Sequence, residues 1–368
     1  MKEEKPFKLC IATPSFSGGG AERIAVNLAN EYTAQGHDVT LLVLKDKGPY
    51  KSQLNPSVKV HIVGLDRGYK ILIYLIKYFR KADYTHVLSV LRGTNIFVGL
   101  ALLFNFKPKL TFREANELNA INQLSIKQKL KFLMRMKLAY FRANLVLANA
   151  NKTKQDLINF NIVGSSKIEV VHNPVLANSY IEKLEKSVNF IFEENKYYFL
   201  NVGRYHYQKN QALLIDAFSI ISNAAPNAHL LILGEGEEKD NLENQINTLN
   251  LSERITLVPF QDNPFPFYKN SDCFVLSSRW EGFGNVIVES LAAGTPVIST
   301  ACGGPKDILQ NNKYGVLVEN ESVEALASAM LNMINGKTEY STKDLKARAV
   351  EFTVENKAAE YLQHIRGI

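Results

Sequence analysis

Short apolar runs alternate with segments of helical periodicity along the chain, and the alternation occurs twice. Residues 7–13 predict a strand that opens into Ser15-Phe16-Ser17-Gly18-Gly19-Gly20. Over residues 21–34, Ile24, Ala25, Leu28, Ala29 and Tyr32 recur on one helical face, and Gly36 is placed to end the helix. A strand at 39–44 follows, and this strand–helix–strand unit opens a parallel sheet. Further strands are predicted at 58–63, 86–90, 109–113 and 145–149, with another ending at 170–171 before His172-Asn173-Pro174. Residues 175–196 read as a polar linker, with Asn178, Lys183, Glu185, Lys186, Glu193, Glu194 and Asn195.

The pattern then restarts. Strands are predicted at Tyr197–Val202, 229–233, Ile255–Val258, Cys273–Leu276, 296–299 and Val316–Val318. Helices are predicted at 210–223, 237–249 and Asn285–Ala293, and another from Ser322. Two α/β halves in series imply two doubly wound domains, over residues 1–175 and 190–350, with a cleft between them. A C-terminal helix at about 352–366 is a candidate to cross back to the first half. Ligands of such sheets bind outside the carboxyl ends of the strands.

A chain of 368 residues is long enough for two cores, and 46% apolar with 21% charged residues is ordinary for a globular protein. The most apolar runs, 71–76 and 96–106, fall short of the ~20 residues of a spanning helix. The N-terminus lacks the apolar core of a signal peptide, and three distant cysteines (Cys10, Cys273, Cys302) make neither a disulfide framework nor a zinc pattern. A cytoplasmic location is therefore expected. The net charge of +7 is uneven: residues 1–175 hold 26 Lys and Arg against 12 Asp and Glu, and the remainder is acidic. An anionic partner is thus expected on the first half alone.

Four groups of residues fall at the carboxyl ends of predicted strands. Gly18-Gly19-Gly20 opens a helix, where free N–H groups and the helix dipole favour an anion. Gly203-Arg204 with Lys209-Asn210 follows the strand Tyr197–Val202 and can pinch a diphosphate, Arg as a planar fork and Lys as a point charge. Glu281-Gly282-Phe283-Gly284-Asn285-Val286 leaves backbone N–H groups uncovered, and Glu289 lies one turn into the next helix. One carboxylate can meet a sugar at the loop, and the other can accept hydrogen bonds from a ribose. Gly303-Gly304-Pro305-Lys306-Asp307 is a further glycine-rich turn at the same sheet edge.

Together these motifs resemble the retaining glycosyltransferases of family 4, which have the GT-B fold of two Rossmann-like domains facing a central cleft. Gly18-Gly19-Gly20-Ala21-Glu22-Arg23, Val202-Gly203-Arg204, Lys209-Asn210, Glu281-Gly282-Phe283-Gly284 closed by Glu289, Ala293-Gly294-Thr295-Pro296-Val297 and Gly304-Pro305-Lys306-Asp307 carry the likeness. The resemblance implies that Arg204 and Lys209 hold the donor diphosphate, that Glu281 contacts the sugar near its 3- and 4-hydroxyls, and that Glu289 binds the ribose. It also implies that the backbone of Phe283, Gly284, Asn285 and Val286 meets phosphate and sugar, and that Gly19 and Gly20 border the diphosphate. Many relatives carry a His near the transferred sugar. Here the stretch reads Arg113-Glu114-Ala115-Asn116-Glu117, which leaves Arg113, Glu114 and Asn116 as the candidates to face the sugar.

The implied donor is a nucleotide sugar, with UDP as the nucleotide and a hexose or N-acetylhexosamine as the sugar. No metal is expected, because Arg and Lys can stabilise the departing diphosphate and the chain has no Asp-x-Asp motif. Retention is expected to proceed on one face, the donor phosphate helping to deprotonate the acceptor. From Ser125 to Arg142 one helix is predicted with Lys127, Lys129, Lys131, Arg135, Lys137 and Arg142, no acidic residue, and a stripe of Ile126, Leu130, Leu133, Met134, Leu138 and Phe141. Residues 69–81 repeat the theme. Such a helix suits either packing on a sheet or the surface of an anionic membrane, where a polyprenyl-diphosphate-linked glycan would be the acceptor. The alternatives are a GT-B nucleotide-sugar epimerase or hydrolase and a dinucleotide-dependent oxidoreductase, the latter disfavoured because Gly18–Gly20 lacks the fingerprint spacing. No nucleic-acid-binding module is recognisable.

Overall fold

The computed structural model describes residues 7–17, 19–118 and 125–368. The chain divides into two compact units, residues 1–177 with 354–368, and residues 178–353.

The first unit contains β1 (Lys8–Thr13), α1 (Gly20–Ala34), β2 (Asp38–Val43), β3 (Lys59–Ile62), α2 (Gly68–Lys81), β4 (His86–Ser89), α3 (Arg92–Ala101), β5 (Lys109–Glu114), α4 (Ile126–Phe141), β6 (Leu145–Ala148), α5 (Asn151–Asn159) and β7 (Ile168–Val170). Its sheet has the order β3-β2-β1-β4-β5-β6-β7, and every pairing is parallel. Parallel strands are covered on both faces, so every residue of β1 and β2 after the first is buried. Alternate side chains serve the two faces. Cys10, Ala12, Leu110 and Phe112 pack with residues of α2, α3 and α4, while Leu9, Ile11, Leu145 and Leu147 pack with α1 and the C-terminal segment.

The second unit contains α6 (Tyr180–Leu184), β8 (Tyr197–Val202), α7 (Gln211–Ser222), β9 (Ala228–Leu233), α8 (Lys239–Thr248), β10 (Ile255–Val258), α9 (Phe265–Lys269), β11 (Cys273–Leu276), α10 (Asn285–Ala293), β12 (Val297–Thr300), α11 (Gly303–Leu309), β13 (Val316–Val318), α12 (Val323–Ile334) and α13 (Thr342–Val350). Its sheet is parallel in the order β10-β9-β8-β11-β12-β13. The turn expected at Gly303-Gly304 is the first turn of α11.

The helix α14 (Val354–Arg366) belongs to the first unit. Ala358, Tyr361, Leu362 and Ile365 are buried among the α1 side chains, and the Tyr32 hydroxyl donates to the Ala358 carbonyl at 3.0 Å.

Residues 178–196 differ from the expected linker. Leu184 is buried, Asn263 Nδ2 donates to the Lys183 carbonyl at 2.9 Å, and Lys269 pairs with Glu185 at 2.7 Å. Phe190 and Phe192 lie 6.0 and 6.1 Å from the Phe267 ring, centroid to centroid, and also face Tyr198. Two phenyl rings in a polar stretch gain more from this burial than the flanking charges lose, because the charges stay at the surface.

Both sheets reverse their strand order once, between β1 and β4 in the first unit and between β8 and β11 in the second. At a reversal the connections diverge, and the carboxyl ends of the two strands leave a crevice for a ligand.

Candidate functional site

The reversal in the second unit brings together residues 72 positions apart. After β8 the chain runs through Gly203 and Arg204 to Lys209. After β11 it runs through Ser277 and Ser278 to Glu281. Lys209 Nζ lies 2.5 Å from Glu281 Oε1, and the Ser278 hydroxyl donates to the same oxygen at 2.7 Å. Glu281 is buried, so this pairing offsets the cost of keeping its charge from water. An ammonium has three donors. Glu281 takes one, and no other hydrogen bond from Lys209 Nζ is made among the described residues. Glu281 Oε2 likewise has no hydrogen-bond partner among them.

The two loops hold each other in register. Arg279 N–H donates to the Gln208 carbonyl at 2.9 Å, Arg279 Nη1 to the Tyr207 carbonyl at 2.7 Å, and Gln208 Nε2 to the Trp280 carbonyl at 2.9 Å. The Arg279 guanidinium lies 4.0 Å from the Tyr207 ring centroid. Ser277 Oγ donates to the Lys209 carbonyl at 2.9 Å. On the other side, the Gly234-Glu235-Gly236 loop after β9 receives the Tyr205 N–H on the Glu235 carbonyl. A Cβ on Gly234 would come within 2.0 Å of the Gly203 carbonyl oxygen.

Arg204 stands apart from this scaffold. Its side chain is exposed, and its guanidinium makes no hydrogen bond or ion pair among the described residues. The aliphatic stem of Lys209 runs beside Gly203, 3.5 Å from where a Cβ would sit. The Gly203–Lys209 loop thus presents one fixed and one unengaged cation.

α10 begins beside this pair. Its N-cap, Gly284, has φ +95°, a conformation that costs other residues energy, and it supplies no side-chain cap. The helix N-terminus at Asn285 and Val286 therefore carries partial positive charge toward the loop. Phe283 is buried against Phe352, at 5.6 Å between ring centroids, so its backbone alone borders the loop, next to half-buried Gly282. α11 packs tightly on it: a Cβ on Gly304 would lie 2.2 Å from Phe283 Cα. Glu289, one turn into α10, is buried and accepts a hydrogen bond from the Tyr268 hydroxyl at 3.2 Å.

In the first unit, Gly18 lies outside the described residues. Gly19 is the extended N-cap of α1, Gly20 is its first residue, and both are exposed. The Glu22 carboxylate lies against Gly19, 2.3 Å from where a Cβ would sit. A negative side chain thus already complements this helix terminus.

Arg113 and Glu114, two of the three residues expected to face the sugar, are buried and have their charged groups engaged within the first unit. Arg113 is buried and spends its donors on the Tyr361 hydroxyl at 3.0 Å, the Val90 carbonyl at 3.2 Å and Asn173 Oδ1 at 2.5 Å. It ties α14 to the sheet. Glu114 is wholly buried and receives Arg92 on both oxygens at 3.2 Å, Tyr140 Oη at 2.6 Å and the Ala115 N–H at 3.2 Å. Burial, with the Glu114 charge next in weight, raises the Tyr140 hydroxyl well above its ordinary range, so it stays protonated and donates. Asn116 is exposed, and its carbonyl accepts from Arg92 Nη2 at 2.5 Å.

With this geometry in view, known proteins supply the family. Residues 182–351 match the family described as glycosyl transferases group 1, and residues 18–177 match glycosyltransferase family 4. The chain belongs to the family 4-type GT-B glycosyltransferases. It is 27% identical over 376 residues to the N-acetylgalactosamine-N,N'-diacetylbacillosaminyl-diphospho-undecaprenol 4-alpha-N-acetylgalactosaminyltransferase of Campylobacter jejuni, a match that covers 98% of this chain and 100% of that protein. A 157-residue stretch is 43% identical to an uncharacterised glycosyltransferase of Methanocaldococcus jannaschii and spans 39% of this chain and 38% of that protein. The crystal structure of Anabaena HepE in complex with UDP and glucose shares the fold, with a TM-score of 0.82, 20% identity, and coverage of 98% and 100%.

Both family matches favour a glycosyltransferase over the epimerase, hydrolase and oxidoreductase readings. Several residues of this glycosyltransferase escaped sequence reasoning. Ser278, Arg279, Gln208 and Tyr268 position the charged side chains through contacts that span 21 to 72 residues or run to backbone carbonyls, apart from the local bond of Ser278 to Glu281. The doublet Ser277-Ser278 after an apolar strand was the one local signal for that bond.

Proposed function

We propose that this glycosyltransferase moves a hexose or N-acetylhexosamine from a UDP-sugar, with retention of anomeric configuration, onto a glycan carried by a polyprenyl diphosphate at the inner face of the cell membrane. The pathway would be that of a surface polysaccharide or lipopolysaccharide. The reading is carried by the Lys209–Glu281 pair at the strand reversal, with unengaged Arg204 and the uncapped α10 terminus beside it. It draws further support from the diphospho-undecaprenol named for the Campylobacter jejuni relative and the UDP bound to HepE.

In this reaction negative charge develops on the departing diphosphate. Arg204, the two remaining donors of Lys209 and the α10 N-terminus stabilise it in the place of a divalent metal. Glu281 Oε2 accepts from the donor sugar's hydroxyls near positions 3 and 4. Glu289 accepts from the ribose hydroxyls. Gly19 and Gly20 offer a second anion-binding helix terminus, which a phosphate occupies by displacing the Glu22 carboxylate. The acceptor hydroxyl attacks from the face the diphosphate leaves, and a phosphate oxygen takes its proton.

The test is UDP release across a panel of UDP-sugars with a polyprenyl-diphosphate-linked glycan as acceptor. One donor should support acceptor-dependent release, and NMR of the product should show the anomeric configuration of the donor. Release independent of acceptor, or an inverted product, refutes the proposal.

A further inference from the structure

Tyr268 holds α10 at two points. It lies in α9 and is wholly buried, with its ring edge-to-face on Phe274 of β11 at 5.4 Å between centroids. Its hydroxyl donates to Glu289 Oε2 at 3.2 Å, and its carbonyl accepts from Thr295 Oγ1 at 2.6 Å. Thr295 follows Gly294, the C-cap of α10, whose φ of +85° turns the chain back. Ser290, the neighbour of Glu289, ties that turn to the helix. Its hydroxyl donates to the Thr295 carbonyl at 3.0 Å, and the Thr295 N–H donates to the Ser290 carbonyl at 3.1 Å. From Glu289 to the last residue of α10 the helix rises about 6 Å. Tyr268 thus fixes a carboxylate near the start of α10 with its hydroxyl and the end of the helix with its backbone.

The type of donor matters. The torsion that turns a Glu carboxylate about its own axis is broad and roughly two-fold, so packing alone sets it weakly. A directional O–H donor on one oxygen sets it strongly. A hydroxyl also leaves the carboxylate charge in place, whereas an ammonium such as that on Glu281 neutralises it. Charge strengthens each hydrogen bond the carboxylate accepts from a neutral hydroxyl. A vicinal diol presents two hydroxyls in one geometry, and a carboxylate meets both only in one plane.

We infer that Tyr268 is a positioning residue for nucleotide recognition: by setting the plane of the Glu289 carboxylate, it makes the second unit select a ribonucleotide over its deoxy counterpart. The inference rests on the proposed contact of Glu289 with the ribose hydroxyls.

The experiment is titration calorimetry of the full chain with UDP and with 2′,3′-dideoxy-UDP. Wild type should bind UDP about a hundred-fold more tightly than the dideoxy nucleotide, since hydrogen bonds to a charged group are lost with the hydroxyls. Tyr268→Phe keeps the ring and removes the hydroxyl. It should weaken UDP about ten-fold and leave the dideoxy affinity unchanged, so the ratio falls to about ten. Thr295→Val frees the Tyr268 carbonyl with the hydroxyl still present and should lower the ratio as well. Glu289→Gln should lose the discrimination, and adding Tyr268→Phe to it should change the ratio no further. Equal weakening of both nucleotides by Tyr268→Phe marks a merely structural role and overturns the inference. So does a wild-type ratio in Tyr268→Phe and Thr295→Val when Glu289→Gln has lost it, a result that leaves the ribose contact of Glu289 standing. Wild-type discrimination in Glu289→Gln refutes that contact itself, and the inference falls with it.

Discussion

Replacing Lys209 by Ala separates the structural work of this ammonium from its chemical work. In the folded chain Lys209 neutralises Glu281, whose side chain is 9% exposed and has Ser278 as its remaining partner. Breaking such a buried pair costs about 3–5 kcal/mol, because one charge is left uncompensated. For a unit the size of residues 178–353, each kcal/mol shifts the melting temperature by about 2–4 °C. Lys209→Ala should therefore lower the melting transition of that unit by roughly 10 °C. Adding Glu281→Gln should restore most of it, since an amide needs no counter-charge. Turnover behaves differently. Loss of a preorganised cation at the leaving group costs about a hundred- to a thousand-fold in kcat, and the double variant should recover none of it. Arg204→Ala is the control: its exposed, unpaired side chain predicts an unchanged melt and a comparable fall in kcat. Scanning calorimetry and UDP release read the two effects. If Lys209→Ala melts with wild type, or the double variant regains turnover, the reasoning fails.

Three further outcomes follow from the packing. Gly304→Ala puts a Cβ 2.2 Å from the Phe283 backbone, so the Glu281–Gly284 loop must move; UDP affinity by titration calorimetry should fall at least ten-fold, for a stability loss of about 1–3 kcal/mol. Tyr361→Phe removes an acceptor from the buried Arg113 guanidinium, costing about 1–3 kcal/mol, and hydrogen exchange should show faster opening of α14. Burial lowers the pKa values of His37, His61 and His86 from the usual 6.5, so each favours folding as the neutral form. Their contribution is full above pH 6.5 and is lost as the pH falls through the lowered values. The melting temperature should drop between pH 7.5 and 5, less steeply in His61→Gln, and a flat profile refutes the assignment.

The sheet scaffold was legible because parallel strands covered on both faces read as unbroken apolar runs, as at Leu145–Ala148 and Cys273–Leu276. The loop from Glu281 into α10 was legible because Glu281 to Glu289 is a local spacing, set by a turn and one turn of helix. Arg113 and Glu114 were not. Neighbours at a strand end point to opposite faces, and their partners Tyr361 and Arg92 lie 248 and 22 residues away. A charged pair beside a motif reads as reactive in sequence, whereas here tertiary contacts consume it. The aromatic ring pair Phe190 and Phe192 was hidden by the charges around it for a similar reason.

α4 shows how far periodicity reaches. The apolar stripe expected from the sequence joined Leu133 to Ile126, Leu130, Met134, Leu138 and Phe141, and in the fold Leu133 packs against the core while the others point to solvent. The helix carries apolar residues around most of its circumference, so periodicity shows amphipathic character without showing which arc faces inward. That choice is made by fit. Ala139 is small enough for Gly99 of α3 to pack against it; a Cβ on Gly99 would lie 2.6 Å from the Ala139 carbonyl oxygen. Tyr140 carries a hydroxyl that buried Glu114 needs. The close approach of α3 and the buried carboxylate together select the inner face. The larger side chains then turn outward beside the lysines, so an unusual surface follows from an ordinary packing requirement.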